Sequence, residues 1–572
     1  MKNLAVLFFK WLSKIKRSEI VSLLVLGVFI FLSAKALFHP GFFRTIDDIT
    51  TVRIMYLEKE LKRGEWFNNF PVRWSGELSH RYGYPLYLFY APLVYYAGAL
   101  LMMIGKLSHI VATKWVYVFP LLVGPLLFYW AARQKLSRFS ALIASCFYTL
   151  FPFRGYDTYI RGGVGEAWAM AFLPAMVGGL FLLEKKKRIG GLIFALFLFL
   201  SIISHNLGGL LAISFSLLFG LVFLFKNKDF WKFFLLGIGL ASFFWLPSLF
   251  YLRIVKVYYS PQNIDQVFNF LVPFSKLMAV NFHFLPEDKF SGTFFYLLIF
   301  GAIVFFRESK KMKQKQKKEC LFWGGIGFFL YFLLSTSSSF FWEITLPISR
   351  MMQFPWRVLI ILSFVLPFIF GFCLDLIKNI LLKIGAALLL IIFLLTFLPA
   401  FRPKEYSFFY EYSAEDTGPC ATSWGEEYLP VWTKECPDRP PQEDLVTSGD
   451  SQIRVLKNNI VNIEAIIEGE KESELIVNRY YFPGWKVLID GKEYPVEYKF
   501  SDWGIFKTNI PQGEHHIRVF FSKTKIMWLA DMVSFISFLI FFFVATHFFL
   551  TRRLFFLRKR RMFKIKNLWP VF

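Results

Sequence analysis

The stretch IVSLLVLGVFIFLSAKALF, residues 20–38, decides the class of this protein. It is an almost unbroken apolar run of about twenty residues, the length at which an α-helix crosses a bilayer. Many similar runs follow along the chain, which has 572 residues, 56% of them hydrophobic and 20% aromatic. A soluble protein of this size could not bury so much apolar surface, so the composition predicts a polytopic α-helical membrane protein.

The positive charge of the chain follows the membrane topology. The formal net charge is +25, and the basic residues form short clusters that each adjoin an apolar run. The clusters are KWLSKIKR (10–17), RQKLSR (133–138), EKKKR (184–188), KNKDFWK (226–232), RESKKMKQKQKKE (307–319) and RRLFFLRKRRMFKIK (552–566). Basic residues beside spans stay on the cytoplasmic side. The charge therefore indicates topology and contact with anionic lipid, and it argues against nucleic acid as a partner.

Placing every basic cluster inside predicts about twelve transmembrane helices, with both termini in the cytoplasm and the protein in the plasma membrane. The predicted spans are 19–38, 115–132, 139–153, 166–183, 189–204, 207–225, 233–250, 292–306, 320–334, 356–375, 384–400 and 526–549.

The apolar stretch YPLYLFYAPLVYYAGALLMMIG, residues 84–105, does not fit this path as a span. If it crossed, the cluster at 133–138 would lie outside. Its tyrosines and prolines suit an interface, so we predict a helix in or on the outer leaflet. The alternative is that it spans and the charge rule fails here.

The predicted domains follow from this topology. Residues 1–400 form the transmembrane domain with a long first external loop, 39–114, and residues 526–572 form the last span and a basic tail. Residues 401–525 form an external segment with an acidic first part. Its second part alternates polar and apolar residues between turns, which predicts a small antiparallel β domain. Cys420 and Cys436 lie in this segment and would be able to form a disulfide outside the cell.

Two adjacent aspartates, Asp47 and Asp48, follow the first span within HPGFFRTIDDITTVR, residues 39–53. One interpretation is a helix start, because Thr45 and Asp48 have the spacing of a capping box. The other is a general base facing a substrate carried by a lipid, since the helix dipole keeps a carboxylate ionised.

Further polar groups lie on the predicted outer side, where ionisable residues near the bilayer indicate function. The loop FRGYDTYIRGGVGEAWAM (153–170) contains Asp157, Arg161 and Glu166. Arginine suits phosphate, and an anion is favoured where Glu166 begins an apolar helix. The alternative for this loop is a solvated connection.

Two further segments contribute candidates on the same side. His205 lies between two spans, either as a catalytic group or as an interfacial hydrogen-bonding residue. In WEITLPISRMMQFPWRVLI (342–360), Arg350, Gln353 and Arg357 surround a proline. They suit a phosphate head group, or else the arginines extend to the membrane surface.

The sequence contains no His/Cys spacing typical of a transition-metal site. Oxygen ligands from Asp47, Asp48, Asp157 and Glu166 could hold a hard cation, Mg²⁺ or Mn²⁺, if they converge.

Several motifs occur in a characteristic order: GYPLYLFYAPLVYYAGALL, YIRGGVGEAWAMAFLP, SHNLGGLL, FFWLPSL and QFPWRVL. Over about residues 40–400 the chain resembles the bacterial and archaeal membrane proteins named for a 6-pyruvoyl-tetrahydropterin synthase related domain. Those proteins are similar to the GT-C superfamily, including YfhO-like glycosyltransferases, whose external β domain the tail resembles.

The resemblance implies a GT-C-like enzyme that transfers a sugar from a polyprenyl-phosphate carrier to an acceptor on the outer face. The acceptor would be an envelope glycan, a lipid or a protein. By position, Asp47 or Asp48 would be the catalytic base or a metal ligand. Asp157 would take the place of a second acidic motif, although YDTYI lacks a complete Asp-x-Asp.

Two other function classes stay open at this point. A flippase for a lipid-linked sugar would use similar polar groups, but it predicts internal repeats that the two halves of the chain lack. A catalytically silent scaffold would retain the fold, and loss of the acidic residues would then have no chemical effect.

Overall fold

The structure is a computed structural model and describes residues 17–47, 49–259, 267–279, 293–346, 349, 352–407 and 426–566. Over these residues the chain is mostly helical, with one β domain near its C-terminal end. Asp48, Arg350 and Cys420, three of the predicted site residues, lie outside the described residues.

The first half of the chain is entirely helical apart from its loops. Its helices are α1 (Arg17–Ala34), α2 (Thr50–Arg63), α3 (Trp66–Asn69), α4 (Leu86–Phe89), α5 (Leu93–Met103), α6 (His109–Ala132), α7 (Arg138–Thr149), α8 (Pro152–Tyr156), α9 (Val164–Glu184), α10 (Ile189–Ser204), α11 (Asn206–Phe219), α12 (Lys228–Leu240) and α13 (Ser242–Tyr251).

The second half contains the remaining helices on either side of the β domain. They are α14 (Phe274–Leu277), α15 (Thr293–Glu308), α16 (Gln314–Phe332), α17 (Ser339–Ile344), α18 (Leu359–Leu376), α19 (Ile380–Leu395) and α20 (Lys525–Lys566).

Six helical segments of the described chain are long and apolar enough to cross a membrane. They are Arg17–Phe38, His109–Ala132, Val164–Glu184, Asn206–Leu224, Pro355–Leu376 and Lys525–Phe548. The pair α12 and α13, bent by 68°, adds a seventh if it is counted as one span. Each lies where the sequence predicts a span. The predicted total of about twelve is not confirmed, because the apolar helices at several other predicted spans have only 12 to 16 residues.

The apolar stretch 84–105 is not one helix. It is divided between α4 and the 11-residue helix α5. At 1.5 Å per residue, α5 is about 16 Å long, roughly half the hydrocarbon thickness. The prediction that this stretch departs from a regular span therefore agrees with the observed break.

Helix α2 is buried over most of its surface, and Val52, Tyr56 and Leu57 are among its buried apolar residues. It begins at Thr50 after Ile49, whose apolar side chain provides no cap. The capping-box interpretation of Thr45 and Asp48 is therefore wrong for this helix, since the helix begins after both residues.

The basic clusters lie together at one end of the helix bundle. Lys135 Nζ lies 2.6 Å from Glu184 and 3.0 Å from Glu319, and Lys315 pairs with the same Glu184 at 2.7 Å. Glu19, beside the first cluster, pairs with Arg133 at 3.0 Å. These contacts join four clusters that the charge rule assigns to one side, which we predict to be the cytoplasm.

The β domain has eight strands, and the predicted β domain at the C-terminal end is confirmed. The strands are β1 (Leu445–Thr447), β2 (Gln452–Asn458), β3 (Asn462–Gly469), β4 (Ser473–Tyr480), β5 (Trp485–Ile489), β6 (Lys492–Tyr494), β7 (Ile505–Ile510) and β8 (Gly513–Phe521). They form antiparallel sheets in the orders β1-β4-β7 and β2-β3-β8-β5-β6. Trp485 and Phe506 join the two sheets, with ring centroids 5.7 Å apart.

The β domain rests on the long first loop. Trp74 of that loop packs among Phe482, Trp485 and Phe521. The loop residue Glu65 accepts a hydrogen bond from Asn459 at 3.0 Å. Cys436, which precedes the strands, is disulfide-bonded, whereas Cys146, Cys320 and Cys373 carry free thiols.

Candidate functional site

The segment between α8 and α9 brings two predicted site residues into contact. Asp157–Arg161 is a π-helical turn, a distortion that is common at functional sites. Arg161 Nη1 donates to Asp157 Oδ1 at 3.1 Å. The turn ends at Gly162 in the left-handed region, φ 82°, and a side chain on Gly163 would collide with the Asp157 carboxylate. The glycines are therefore required by the close approach of backbone and carboxylate.

Arg161 is surrounded by carboxylates. Its Nη1 also lies 2.7 Å from Glu166 Oε1, and its Nε lies 3.7 Å from Asp47 Oδ2. The backbone fixes the Asp47 contact, because Asp47 N–H donates to the Arg161 carbonyl at 2.7 Å. Asp157 and Glu166 are buried, whereas the Asp47 side chain is 40% exposed. Asp47 is thus the accessible carboxylate of this group.

Glu166, in the first turn of α9, links the site to the second predicted segment. Arg357 Nε donates to Glu166 Oε1 at 3.0 Å, and Arg357 Nη1 donates to Gln353 Oε1 at 3.0 Å. Both arginines therefore bind the same carboxylate oxygen. The other oxygen, Oε2, is buried and accepts no hydrogen bond from any residue within the described ranges.

The SHN motif positions two groups. His205 Nε2 lies 3.5 Å from Glu166 Oε1, while His205 Nδ1 accepts a hydrogen bond from Gly208 N–H and so caps α11. A neutral ring that accepts at Nδ1 carries its proton on Nε2, which faces Glu166. Asn206 binds the break between α4 and α5, donating to the Phe89 carbonyl and accepting from Ala91 N–H.

Arg53 is a site residue that the sequence interpretation missed. It is 4% exposed, lies 4.2 Å from the centre of the Tyr90 ring and donates to the Tyr95 hydroxyl at 3.0 Å. The available signal was a cation on the apolar face of α2, beside Val52 and Tyr56. A buried cation on such a face is uncommon unless it has partners.

Glu427 is the second missed residue, and it comes from the segment that precedes the β domain. Burial raises the pKa of its carboxyl group, while Arg53, Arg357 and Gln353 favour the charged form. Its position within an acidic, loop-like stretch carried no local signal, since neighbouring glutamates there have the same sequence context.

A cleft with about 300 Å³ of empty space, counting its open side, joins these groups. Its walls come from α2, from the α4–α5 region and from the start of α9. It is lined by Asp47, Thr50, Arg53, Tyr90, Tyr95, Arg161, Gly162, Gly163, Val164, Gly165, Glu166 and His205. The structure therefore places the described site residues of four distant predicted segments either in this cleft or beside it.

Burial determines the protonation of the groups beside the spans. Burial and the nearby Glu166 charge raise the pKa of Asp157 well above its usual value. Burial lowers the pKa of His205 to about 3, because the attraction of Glu166 does not offset desolvation. His205 is therefore neutral at physiological pH.

The described carboxylates of the predicted metal site surround an arginine, and Asp48, the other predicted ligand, lies outside the described residues. The Arg161 guanidinium lies between Asp47, Asp157 and Glu166, where a cation would need to bind. Within the described ranges, no group of three His, Cys, Asp or Glu side chains could hold a metal ion. Arg154 is structural, since it donates to the carbonyls of Tyr148, Thr149 and Pro120.

The fold and the site define a multi-pass membrane protein with a buried ion-pair cluster at one end of its helices. Residues 87–403, more than half of the chain, match the model of the 6-pyruvoyl-tetrahydropterin synthase related domain, a membrane protein family. The chain belongs to this family. No curated protein matches it.

Proposed function

We propose that this protein is a membrane glycosyltransferase that moves a sugar from a polyprenyl-phosphate carrier to an acceptor on the outer face. The observation that carries the proposal is Asp47, an accessible carboxylate at a cleft whose other charged groups are buried. The cleft lies at the helix ends opposite the basic clusters, because Glu166 and Glu184 are about 27 Å apart along α9. The positive-inside rule makes the Glu166 end the outer one.

The proposed reaction is a single displacement. Asp47 accepts the proton of the acceptor hydroxyl as the oxygen attacks the anomeric carbon. The bond between that carbon and the phosphate oxygen breaks, and its electron pair leaves with the polyprenyl phosphate. Arginine charge near the leaving phosphate stabilises the transition state. The anomeric configuration is inverted.

Arg357 is the described arginine that suits the leaving phosphate, whereas Arg161 is engaged by three carboxylates. Arg350 remains a further predicted phosphate ligand. The Glu166 oxygen that lacks a donor among the described residues suits a sugar hydroxyl, since a buried carboxylate oxygen favours a donor. The β domain, seated on the loop that carries α2, would bind or orient the acceptor.

Sugar transfer in proteoliposomes tests the proposal. The protein is supplied with a panel of polyprenyl-phosphate sugars, and Asp47→Asn is expected to lower transfer by a factor of about 10²–10⁴. The free energy of unfolding should change by only about 0.5 kcal/mol, because the side chain is partly exposed and its contact with Arg161 is as long as 3.7 Å. Asp48→Asn tests the adjacent carboxylate in the same assay.

Asp229→Asn is a matched control. Asp229 lies 3.7 Å from Arg188, the same distance as Asp47 from Arg161, and its side chain is 35% exposed, but it belongs to the basic end. Transfer by this variant should equal that of the wild type. A folded wild-type protein that transfers no sugar from the panel, or equal losses in Asp47→Asn and Asp229→Asn, would contradict the proposal.

A further inference from the structure

Four exposed aromatic residues connect the long first loop to the start of the last span. On α3, Trp66 and Phe67 are 54% and 76% exposed. The ring of Phe67 packs edge to face against Trp528 of α20, with centroids 5.6 Å apart. Trp66 packs in the same way against Phe70, at 5.1 Å. Phe70 and Trp528 are themselves 39% and 40% exposed. We call these four residues the aromatic patch.

Helix α3 turns Asn69 toward the protein and its aromatic residues away from it. Asn69 is 5% exposed, donates to the Trp74 carbonyl at 2.7 Å and accepts from Arg73 N–H at 3.0 Å. In water the arrangement is normally the reverse, with aromatic rings buried and amides exposed. An exposed apolar patch of this kind marks a surface that contacts an apolar partner.

The side of α20 that the patch continues indicates what this partner is. The span Lys525–Phe548 is 22% buried over its apolar stretch. Met532 and Phe535 lie on the same side of the helix as Trp528 and are 57% and 64% exposed. Exposed side chains of a span face the lipid chains. Since Phe67 lies against Trp528, the aromatic patch extends this lipid-facing side.

The patch lies at the edge of the hydrocarbon layer. Trp528 is the fourth residue of the 24-residue span, whose length of about 36 Å slightly exceeds a hydrocarbon thickness of about 30 Å. Trp528 is therefore within about 5 Å of the hydrocarbon boundary, the level at which tryptophan is enriched. The Lys523 ammonium, 4.5 Å from the centre of the Trp528 ring, marks the polar side of this boundary.

The charge of the chain assigns the patch to one leaflet. Helix α20 runs from the patch toward the basic cluster 552–566, which the positive-inside rule keeps in the cytoplasm. Arg73 of the first loop donates to Asp531 of α20 at 3.3 Å, so the loop is fixed to the opposite end of the span. That end, with the patch, belongs to the outer leaflet.

We propose that α3 is an interfacial anchor whose residues Trp66, Phe67 and Phe70 insert into the outer leaflet beside the last span. The partner is the lipid bilayer itself, at the boundary between head groups and acyl chains. This anchoring goes beyond the proposed function and is independent of sugar transfer. Because α3 follows α2 after two residues and α2 forms one wall of the cleft, the anchor sets the height of that wall relative to the lipid.

Fluorescence of a label on α3 tests the anchor. In Phe67→Cys, an environment-sensitive NBD label is attached to the full chain in nanodiscs whose bilayer contains nitroxide lipid. Trp503→Cys is the matched control, because Trp503 is a 41% exposed aromatic residue of the β domain. Wild-type protein treated in the same way gives the background from its own thiols.

The label of Phe67→Cys is expected to lose most of its fluorescence to nitroxide lipid and little to aqueous iodide. The label of Trp503→Cys should behave in the opposite way. A nitroxide near the head group should quench the Phe67→Cys label more than one at the chain end, because the patch lies at the edge of the hydrocarbon. Trp66→Cys repeats the measurement where circular dichroism shows that Phe67→Cys disturbs folding.

The opposite results would overturn the anchor. Quenching of the Phe67→Cys label by iodide alone would place the patch in water. Quenching by neither agent would mean that protein covers the patch, a second copy if each nanodisc contains two. Equal quenching of the Phe67→Cys and Trp503→Cys labels by nitroxide lipid would also contradict the anchor. None of these results bears on sugar transfer, so the proposed function is tested separately.

Discussion

Helix α9 carries a glutamate near each end, and each binds several cations. At the start of the helix, Glu166 contacts Arg161 at 2.7 Å and Arg357 at 3.0 Å. At its last residue, Glu184 contacts Lys135 at 2.6 Å and Lys315 at 2.7 Å. The two clusters have similar charges and similar distances.

They differ in how the carboxylate oxygens are used. Glu184 places one oxygen on each lysine, and the Lys315 side chain is 66% exposed. Glu166 places both arginines on one oxygen and leaves the other without a donor among the described residues. A satisfied cluster with one solvated lysine is an anchor between loops. A buried cluster with a spare acceptor, beside a cleft, is prepared for a ligand.

The largest expected effect comes from replacing one of the two glutamates with glutamine, in separate single variants. Glu166→Gln leaves two buried arginines without their shared anion and should destabilise the protein by about 3 kcal/mol. Glu184→Gln should cost about 1 kcal/mol, because Lys135 keeps Glu319 and Lys315 is hydrated. Chemical unfolding in detergent measures both.

The rate of sugar transfer provides a second comparison of Glu166→Gln with Glu184→Gln. We expect at least about a hundredfold loss for Glu166→Gln and none for Glu184→Gln. Equal behaviour of the two variants in both assays would show that the ends of α9 do not differ as described.

A smaller effect on stability is expected from adding a side chain at the backbone turn of the site. Gly163→Ala places a methyl group against the Asp157 carboxylate and should lower the free energy of unfolding by about 1–3 kcal/mol. Gly325→Ala, on α16, is the control, because nothing lies within 4 Å of its added Cβ atom. It should leave stability unchanged or raise it by less than about 1 kcal/mol. An unaltered melting temperature for Gly163→Ala would refute the tight packing around Asp157.

The smallest effect near neutral pH comes from the titration of His205. The pKa of His205 is about 3 in the folded protein against 6.5 normally, so between these values the unfolded chain binds the proton and the folded chain does not. His205 therefore makes stability fall as pH decreases from 6.5 toward 3.

Substitution of His205 isolates this contribution. His205→Asn keeps a short acceptor for the Gly208 N–H and should reduce the slope of melting temperature against pH below 6.5. Thermal melts of both proteins across this range measure the difference. Identical slopes would mean that His205 is not held neutral by burial.

The sequence predicted some parts of the site for a physical reason. Asp47, Arg161, Glu166 and Arg357 are ionisable residues beside apolar helices, where a charge is costly without a partner. That cost made them visible as candidates before their contacts were known. The structure shows that they are partners of one another or meet at one carboxylate.

Other parts could not be predicted in this way. Glu427 lies in an acidic loop where charge is ordinary. Only the backbone pairing of residues 426–431 with residues 254–257 brings it near Arg53 and Gln353. The metal prediction, which includes Asp48, stays a prediction, but the partner of the described carboxylates was hidden for a related reason. Carboxylates suggest a cation, but the sequence does not reveal that the cation is the guanidinium of Arg161.

The sequence by itself determined the membrane class, the positions of the long spans and the alternating strands of the β domain. Those features depend on local hydrophobic periods and lengths, which each segment carries alone. The tertiary structure alone decided which charges meet, how α4 and α5 break, and that the β domain rests on the first loop. These depend on contacts between segments far apart in the chain. The energies of such contacts cannot be inferred from any single segment.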